Sequence, residues 1–477
     1  MKLFKNSEMD LTSGNLFWKM PLFVVPLIIT NVLQLLYTTI DLWTVSKFGG
    51  GSASMAAIGT NSALINLIIT VLVSLATGAN VCISTAKGSG DKDRAQRILN
   101  TAMLVALIGG VAVGLFGFFT ARTLLEWMDT PASMIDNAAI YLKVYFLGVP
   151  LLMIYNFGSQ ILRALGDSKT PLIILALSGI FNVVFDIVLV YCFNMDVLGV
   201  AIATVISEGI SAILTILWFV FSKSIFVKID FKNMRIDKLA AKDIFRIGIP
   251  AGIQGLAFCI PNVMIQSSLY TITDYTIDGV AISQDEIVAG AAASAQIEGY
   301  VFQLLDAWAV GIISFVGQNY GASNTKNIKK CYWFAVIWML IAWGLSVAVC
   351  SIFPNQLLSV FIEDGGGIVA DNALAAGKER MFMLLYTYFL DGWMDINGNY
   401  LRGMKRSNPP AILTLVGCTG TRIVFLLTLF QMPYFHTIFW LYAAFPISWV
   451  LVNLVYIPMV LILEKKTLKP LEEAALQ

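Results

Sequence analysis

The sequence predicts an all-α polytopic membrane protein, with twelve transmembrane helices in two pseudo-symmetric six-helix lobes. Three observations carry that prediction. The composition is 58% hydrophobic and only 13% charged over 477 residues, with a mean hydropathy of +0.77. A soluble chain of this length needs polar surface that these residues cannot supply. Twelve segments of about 20 or more mostly apolar residues follow one another, each long enough to span a bilayer. Finally, the first six segments and the last six resemble each other.

The predicted spans are 17–46, 54–85, 97–120, 137–161, 171–193, 199–222, 247–271, 288–316, 331–353, 381–401, 409–431 and 437–463. Pro26, Pro150, Pro250, Pro261 and Pro446 lie inside them, as membrane helices tolerate where neighbours re-satisfy the backbone. The stretch before the first span is polar, and that span is too long for a cleavable signal peptide. The cysteines (Cys82, Cys192, Cys259, Cys331, Cys350, Cys418) sit in or at the ends of apolar segments with no C-x-x-C pair, and read as small packing residues. Gly110 and Gly114 form a small-xxx-small pair suited to close helix packing.

Basic residues set the expected orientation. With a cytoplasmic N-terminus, inside segments hold about 25 of the 31 Lys and Arg residues. These include Lys87, Lys92, Arg94, Arg97, the run Lys223–Arg246, Lys326, Lys329, Lys330, Lys465, Lys466 and Lys469. Outer loops keep only Lys47, Arg122, Lys378 and Arg380, while Lys143 and Arg422 fall within helices. The acidic loop Asp274–Glu286 has no basic residue and is placed outside, and both termini are placed in the cytoplasm. Lobes of 1–222 and 247–477 are joined by a basic linker, 223–246, in which Asp237 is expected to cap an amphipathic helix on the membrane surface.

The repeat is visible in two motifs. LRALGDSKTP (Leu162–Pro171) matches LRGMKRSNPP (Leu401–Pro410), each after the fourth helix of its half. GANVCISTAKG (Gly78–Gly88) matches GIISFVGQNYG (Gly311–Gly321), each ending the second helix. An even number of helices per half relates the lobes by a pseudo-two-fold along the membrane normal, the arrangement of an alternating-access transporter.

At these residues the chain resembles the MATE family of multidrug and toxic compound extrusion transporters. The matching features are Pro26 followed by Asp41, YFLGVPLLMIYNFGSQILRALGDSKTP (Tyr145–Pro171), GQNYGA (Gly317–Ala322), LRG at Arg402, and Arg422. They run over nearly the whole chain. The resemblance implies a secondary antiporter of the cell (inner) membrane that exports cationic or amphipathic compounds in exchange for Na+ or H+. It needs no cofactor beyond that ion, works as a monomer and binds no nucleic acid. The DinF-like branch is the most similar. It implies a cation site made of Asp41, Asn182, Asp186 and Thr204, with Pro26 as a hinge in the first helix.

The residues support that site on their own terms. Asn182 and Asp186 are four apart and share a helix face. An ionised side chain at the bilayer centre costs at least ~2.5 kcal/mol and marks a functional position. Counted from the outer ends of their helices, Asp41, Asp186 and Thr204 lie at a common depth of roughly 8–10 Å. Two carboxylates, an amide and a hydroxyl suit a small hard cation, and two close carboxyls equally suit a proton. The second half carries Ile265, Thr421 and Phe425 at the positions of Asp41, Asn182 and Asp186, so the site is expected in one lobe only.

Another set of acids occupies the second lobe: Glu298 and Asp306 in helix 8, Asp391 and Asp395 in helix 10. Tyr388 and Trp393 accompany them, and carboxylates with aromatic walls suit an organic cation. A second family branch uses a helix 7 acid here, whereas this chain has Gln254 and Gln266. Arg163 and Arg402 are expected to sit at loops, stabilising helix ends, and His436 in solvent. No G-x-x-x-x-G-K-[ST] motif supports ATP hydrolysis, and no enzyme is expected. The alternative function is a lipid-linked oligosaccharide flippase of the same superfamily, which would require basic residues lining its cavity.

Overall fold

The computed structural model describes residues 8–132, 134–222, 225–272, 275–277, 279–362 and 369–474. Six long helices form the first half: α1 Leu16–Phe48, α2 Ser52–Gly88, α3 Lys92–Trp127, α4 Ile135–Ala164, α5 Lys169–Ile187 and α6 Asp196–Phe221. The second half has α7 Lys238–Leu269, a two-residue hairpin (β1 Thr276–Ile277, β2 Val280–Ala281), α8 Gln284–Gly321, α9 Thr325–Ile352 and the short α10 Pro354–Leu358. It continues through α11 Ala370–Leu385, α12 Tyr388–Gly403, α13 Asn408–Thr414, α14 Thr421–Leu427 and α15 Ile438–Ala474. Among the described residues, eleven helical spans are long and apolar enough to cross a membrane.

The remaining predicted span is the exception. In place of one helix over 381–401, α11 and α12 meet at a break at Tyr386–Thr387. The Thr387 hydroxyl turns back to the carbonyls of Met383 and Leu384 at 3.0 and 2.9 Å. Asp371, Lys378, Glu379, Arg380, Asp391 and Asp395 dilute the apolar run on either side of the break. Helix α7 also departs from expectation. Asp237 caps it, accepting from the N–H of Leu239 and Ala240 at 2.8 and 2.9 Å. The chain then continues without interruption to Leu269, so the surface helix expected in the linker is the first turns of a spanning helix. Lys223 of the linker and Asp274 of the acidic loop lie outside the described residues.

The internal repeat is present in the backbone. Gly166 and Lys405 occupy equivalent places after the fourth helix of each half, and both adopt positive φ, 81° and 62°. Each lets the next residue close the helix end: Asp167 N–H to Leu162 O, and Arg406 N–H to Leu401 O, both 2.9 Å. Gly90 and Ser323 form a second matching pair, at 73° and 54°. They are followed by Asp91 N–H to Ala86 O at 3.0 Å and Asn324 N–H to Asn319 O at 2.9 Å. These are helix terminations through a left-handed residue, made at the same register in both halves.

The chain divides into two compact units, Met1–Gly252 with Ile313–Asn324, and Ile253–Ile312 with Thr325–Gln477. The division thus runs through α7 and α8, where the sequence places it in the linker. Hydrogen bonds explain the assignment of the end of α8. Ser314 donates to Asn80 at 3.3 Å, Gln318 to the Ala164 carbonyl at 2.7 Å, and Asn319 to the Leu11 carbonyl at 2.8 Å. The ends of α2 and α8 cross on reciprocal glycines. A Cβ on Gly88 would overlap the Gln318 carbonyl, and one on Gly321 would overlap the Thr85 carbonyl. Helices α3 and α4 touch in the same way, Gly110 on Pro150 and Gly114 on the Phe146 carbonyl.

The segment before α1 is fixed to the first unit. Met9 N–H bonds Gly166 O at 3.0 Å, and the buried Leu11 donates its N–H to Gln318 Oε1 at 3.4 Å. Glu8 pairs with Lys87 at 2.8 Å.

Candidate ion and substrate site

Helix α5 starts where the Asp167 carboxylate accepts the N–H groups of Lys169 and Thr170, at 3.1 and 2.9 Å. Its buried face then carries Ser178, Gly179, Asn182 and Asp186 at helical spacing. Gly179 decides how close α1 comes, because a Cβ there would collide with the Tyr37 ring. Asp41, one turn beyond Tyr37, is thereby brought near Asp186, and the two carboxyls lie within electrostatic reach of each other. Just past Asp186 the helix widens into a π segment, Val188–Cys192. Such wide turns are frequent at functional positions.

Polar atoms around this pair lack hydrogen-bond partners. Asp186 is fully buried, and neither of its oxygens has a hydrogen-bond partner. The same holds for Asp41 Oδ1, Asn182 Nδ2, Thr44 Oγ1 and, on α6, Glu208 Oε2. Each buried unpartnered polar atom costs on the order of 1–3 kcal/mol. Two like charges in contact in a dry interior repel, and a proton or a monovalent cation between them relieves the repulsion. Thr204 spends its proton on the Val200 carbonyl at 3.0 Å and keeps its oxygen as an acceptor. Asp196 secures the adjoining turn, accepting Gly50 N–H at 2.9 Å and the Ser54 hydroxyl at 2.6 Å. Pro26 is buried within an unbroken α1.

The acids of the second unit are handled differently. Glu298 accepts the Nε and Nη2 groups of Arg380 at 2.9 and 3.0 Å, and the Ser294 hydroxyl at 2.6 Å. The sequence reading put Arg380 in an outer loop. It lies instead in α11, 8% exposed, and supplies the counter-charge. Asp306, Asp391 and Asp395 lie within electrostatic reach of one another, with Arg422 near Asp391 and Arg402 near Asp395. Trp393 donates to Tyr332 at 2.9 Å, and the Tyr388 ring lies 5.4 Å from that of Trp449. Arg402 also departs from expectation. It is buried in α12 and bonds Asn399 Oδ1 at 2.6 Å and Gln254 Oε1. Gln266 is exposed. His436 is half-buried against Phe430, with ring nitrogens at 3.0 Å from the Phe430 carbonyl and 3.2 Å from the Thr271 carbonyl.

Many helices long and apolar enough to cross a membrane, with acids buried among them, make this a polytopic membrane fold. The chain belongs to the MatE family, whose sequence profile matches residues 26–188 and 259–428. Among its relatives, the probable multidrug resistance protein YpnP of Bacillus subtilis (strain 168) is 29% identical over 386 residues, 80% of each chain. The probable multidrug resistance protein YoeA of the same organism is 24% identical over 414 residues, 85% of each chain. A solved MOP superfamily transporter from Pyrococcus furiosus Vc1 (DSM3638) superposes with a TM-score of 0.85 at 20% identity. The match covers 96% of this chain and 98% of that one.

Proposed function

We propose that the protein is a secondary antiporter of the cell (inner) membrane, with both termini cytoplasmic. It acts as a monomer and exports organic cations, drugs among them, by alternating access in exchange for H+ or Na+. The observation that carries the reading is the fully buried Asp186, without a hydrogen-bond partner and within electrostatic reach of Asp41, neither acid forming an ion pair among the described residues. Binding of one positive charge there removes a repulsion, and its release restores it, so ion occupancy biases a two-state carrier. Asn182 and Thr204 supply further oxygens. In the second unit, Asp306, Asp391 and Asp395 with Tyr388 and Trp393 form the acidic, aromatic surface for the exported cation. Glu298, already paired, orients Arg380. The names of YpnP and YoeA support the drug-export part of the reading.

The flippase alternative calls for basic residues open to a pyrophosphate. The buried arginines are engaged otherwise: Arg380 with Glu298, Arg402 with Asn399 and Gln254, and Arg422 with Ser448 at 2.9 Å and over the Phe445 ring at 4.4 Å. The test is dye export from proteoliposomes under a sodium gradient and, separately, under a pH gradient. Wild type is expected to move a cationic dye on one or both. Asp41→Asn is expected to lower that rate about 100-fold, equivalent to ~2.7 kcal/mol. Wild-type rates in Asp41→Asn would remove the coupling role.

A further inference from the structure

Helix α6 carries an acid to which the reading above gives no task. Glu208 stands one turn from Thr204 on the same helix face. Its Oε2 is fully buried and takes no donor. Gly148 on α4 makes the room, since a Cβ there would collide with the Glu208 carboxylate. Beside it, Tyr141 and Tyr145 stack, with centroids 6.4 Å apart and ring planes 13° from parallel.

Tyr141 lies within electrostatic reach of Asp41, Asp186 and Glu208 together, and Tyr145 within reach of Glu208. Asn182, 4% exposed, and Asp186, 0% exposed, hold unpartnered polar atoms on the α5 face that meets Asp41. Among the described residues, none of the three acids forms an ion pair. Nor do three acids gather tightly enough to hold one metal ion. Carboxyl groups are thus offered at two places, the Asp41–Asp186 pair and Glu208, and Tyr141 lies within electrostatic reach of both.

A monocation can satisfy one point and leaves the other uncompensated. A ligand with two cationic centres satisfies both, and the phenol faces suit the hydrocarbon between them. We propose that Glu208 is a specificity-determining residue that makes the first unit favour dicationic organic ligands over monocations. One cationic centre takes its turn at the Asp41–Asp186 pair, and the other rests at Glu208 beside Tyr145. The inference rests on the reading of the protein as an exporter of organic cations.

The test compares export of propidium, with two positive charges, and ethidium, with one on the same ring system. Both dyes are followed in proteoliposomes bearing wild type, Glu208→Gln or Glu208→Asp, each first checked for a single monodisperse peak. In Glu208→Gln the propidium-to-ethidium ratio is expected to fall about tenfold, the loss of roughly one good charge contact. Glu208→Asp is expected to restore most of it. If Glu208→Gln does not fold, Gly148→Ala displaces the carboxylate without removing it, and the ratio is expected to fall there too. An unchanged ratio in the folded variant overturns the proposal. Wild-type export of ethidium without propidium overturns it as well, while the antiporter reading stands. Failure of both dyes in wild type removes that reading and the inference with it.

Discussion

Asp41 and Asp186 in the first unit lie within electrostatic reach of each other, in no ion pair among the described residues, and neither Asp186 oxygen has a hydrogen-bond partner. Glu298 in the second unit is buried, as Asp186 is, yet Arg380 grips it with two hydrogen bonds and Ser294 adds a third. The two halves descend from one sequence pattern and treat buried charge in opposite ways. A compensated acid holds helices together and has nothing left to exchange. An uncompensated one costs stability and is available to a mobile ion. The comparison separates a buried acid that has a counter-charge from one that lacks it, and only the second is a candidate for exchange with a mobile ion.

The contrast can be broken most strongly at Arg380. Arg380→Ala leaves Glu298 charged without its counter-ion, and is expected to lower stability by about 3–5 kcal/mol. The double variant Arg380→Met with Glu298→Gln should regain most of that in an unfolding titration. An Arg380→Ala protein as stable as wild type would remove the brace from the comparison. Asp186→Asn should do the reverse, keeping or raising stability by about 1 kcal/mol, because it deletes one of two repelling groups. A marked loss of stability there would mean that the Asp186 carboxylate already has a partner.

The smallest effect lies outside the spans. Partial burial raises the pKa of Asp10, but hydrogen bonds from Ser13 and Thr12 and the charge of Lys19 outweigh it and hold the pKa at about 2, against an ordinary 3.8. A group with a depressed folded pKa contributes stability above its unfolded value and loses it as pH falls toward the folded one. Unfolding midpoints of wild type and Asp10→Asn should therefore differ at pH 5 and converge as pH falls from about 4 toward 2. Parallel curves over that range would argue against the Asp10 contribution.

Much of this was legible in the chain. Hydropathy located the helices, and the four-residue spacing of Asn182 and Asp186 placed them on one face of α5. The matched decapeptides anticipated the shared left-handed turns at Gly166 and Lys405. Arg380 was not legible as a partner, because it lies 82 residues from Glu298 among charges that end an apolar window. The break at Tyr386–Thr387 left no mark either, since neither residue forbids a helix. Arg402 reads as a loop residue from its neighbours, and only packing shows it buried. Glu208 did leave a signal, as the single acid among residues 197–221. A reading led by motif resemblance passes over it.

The anchored N-terminal segment sets an order on synthesis. Leu11 emerges early, but its partners Gln318 and Asn319 follow 307 and 308 residues later. At roughly 5–20 residues per second, that interval is about 15–60 s. The first unit includes Ile313–Asn324 and so cannot complete itself while only the first six helices exist. For that interval Gly88 of α2 lacks its counterpart on α8, and the Leu11 backbone lacks its partners there. A ribosome stalled before residue 313 therefore holds α1 to α6 and the start of α7 without the end of α8 that completes their unit.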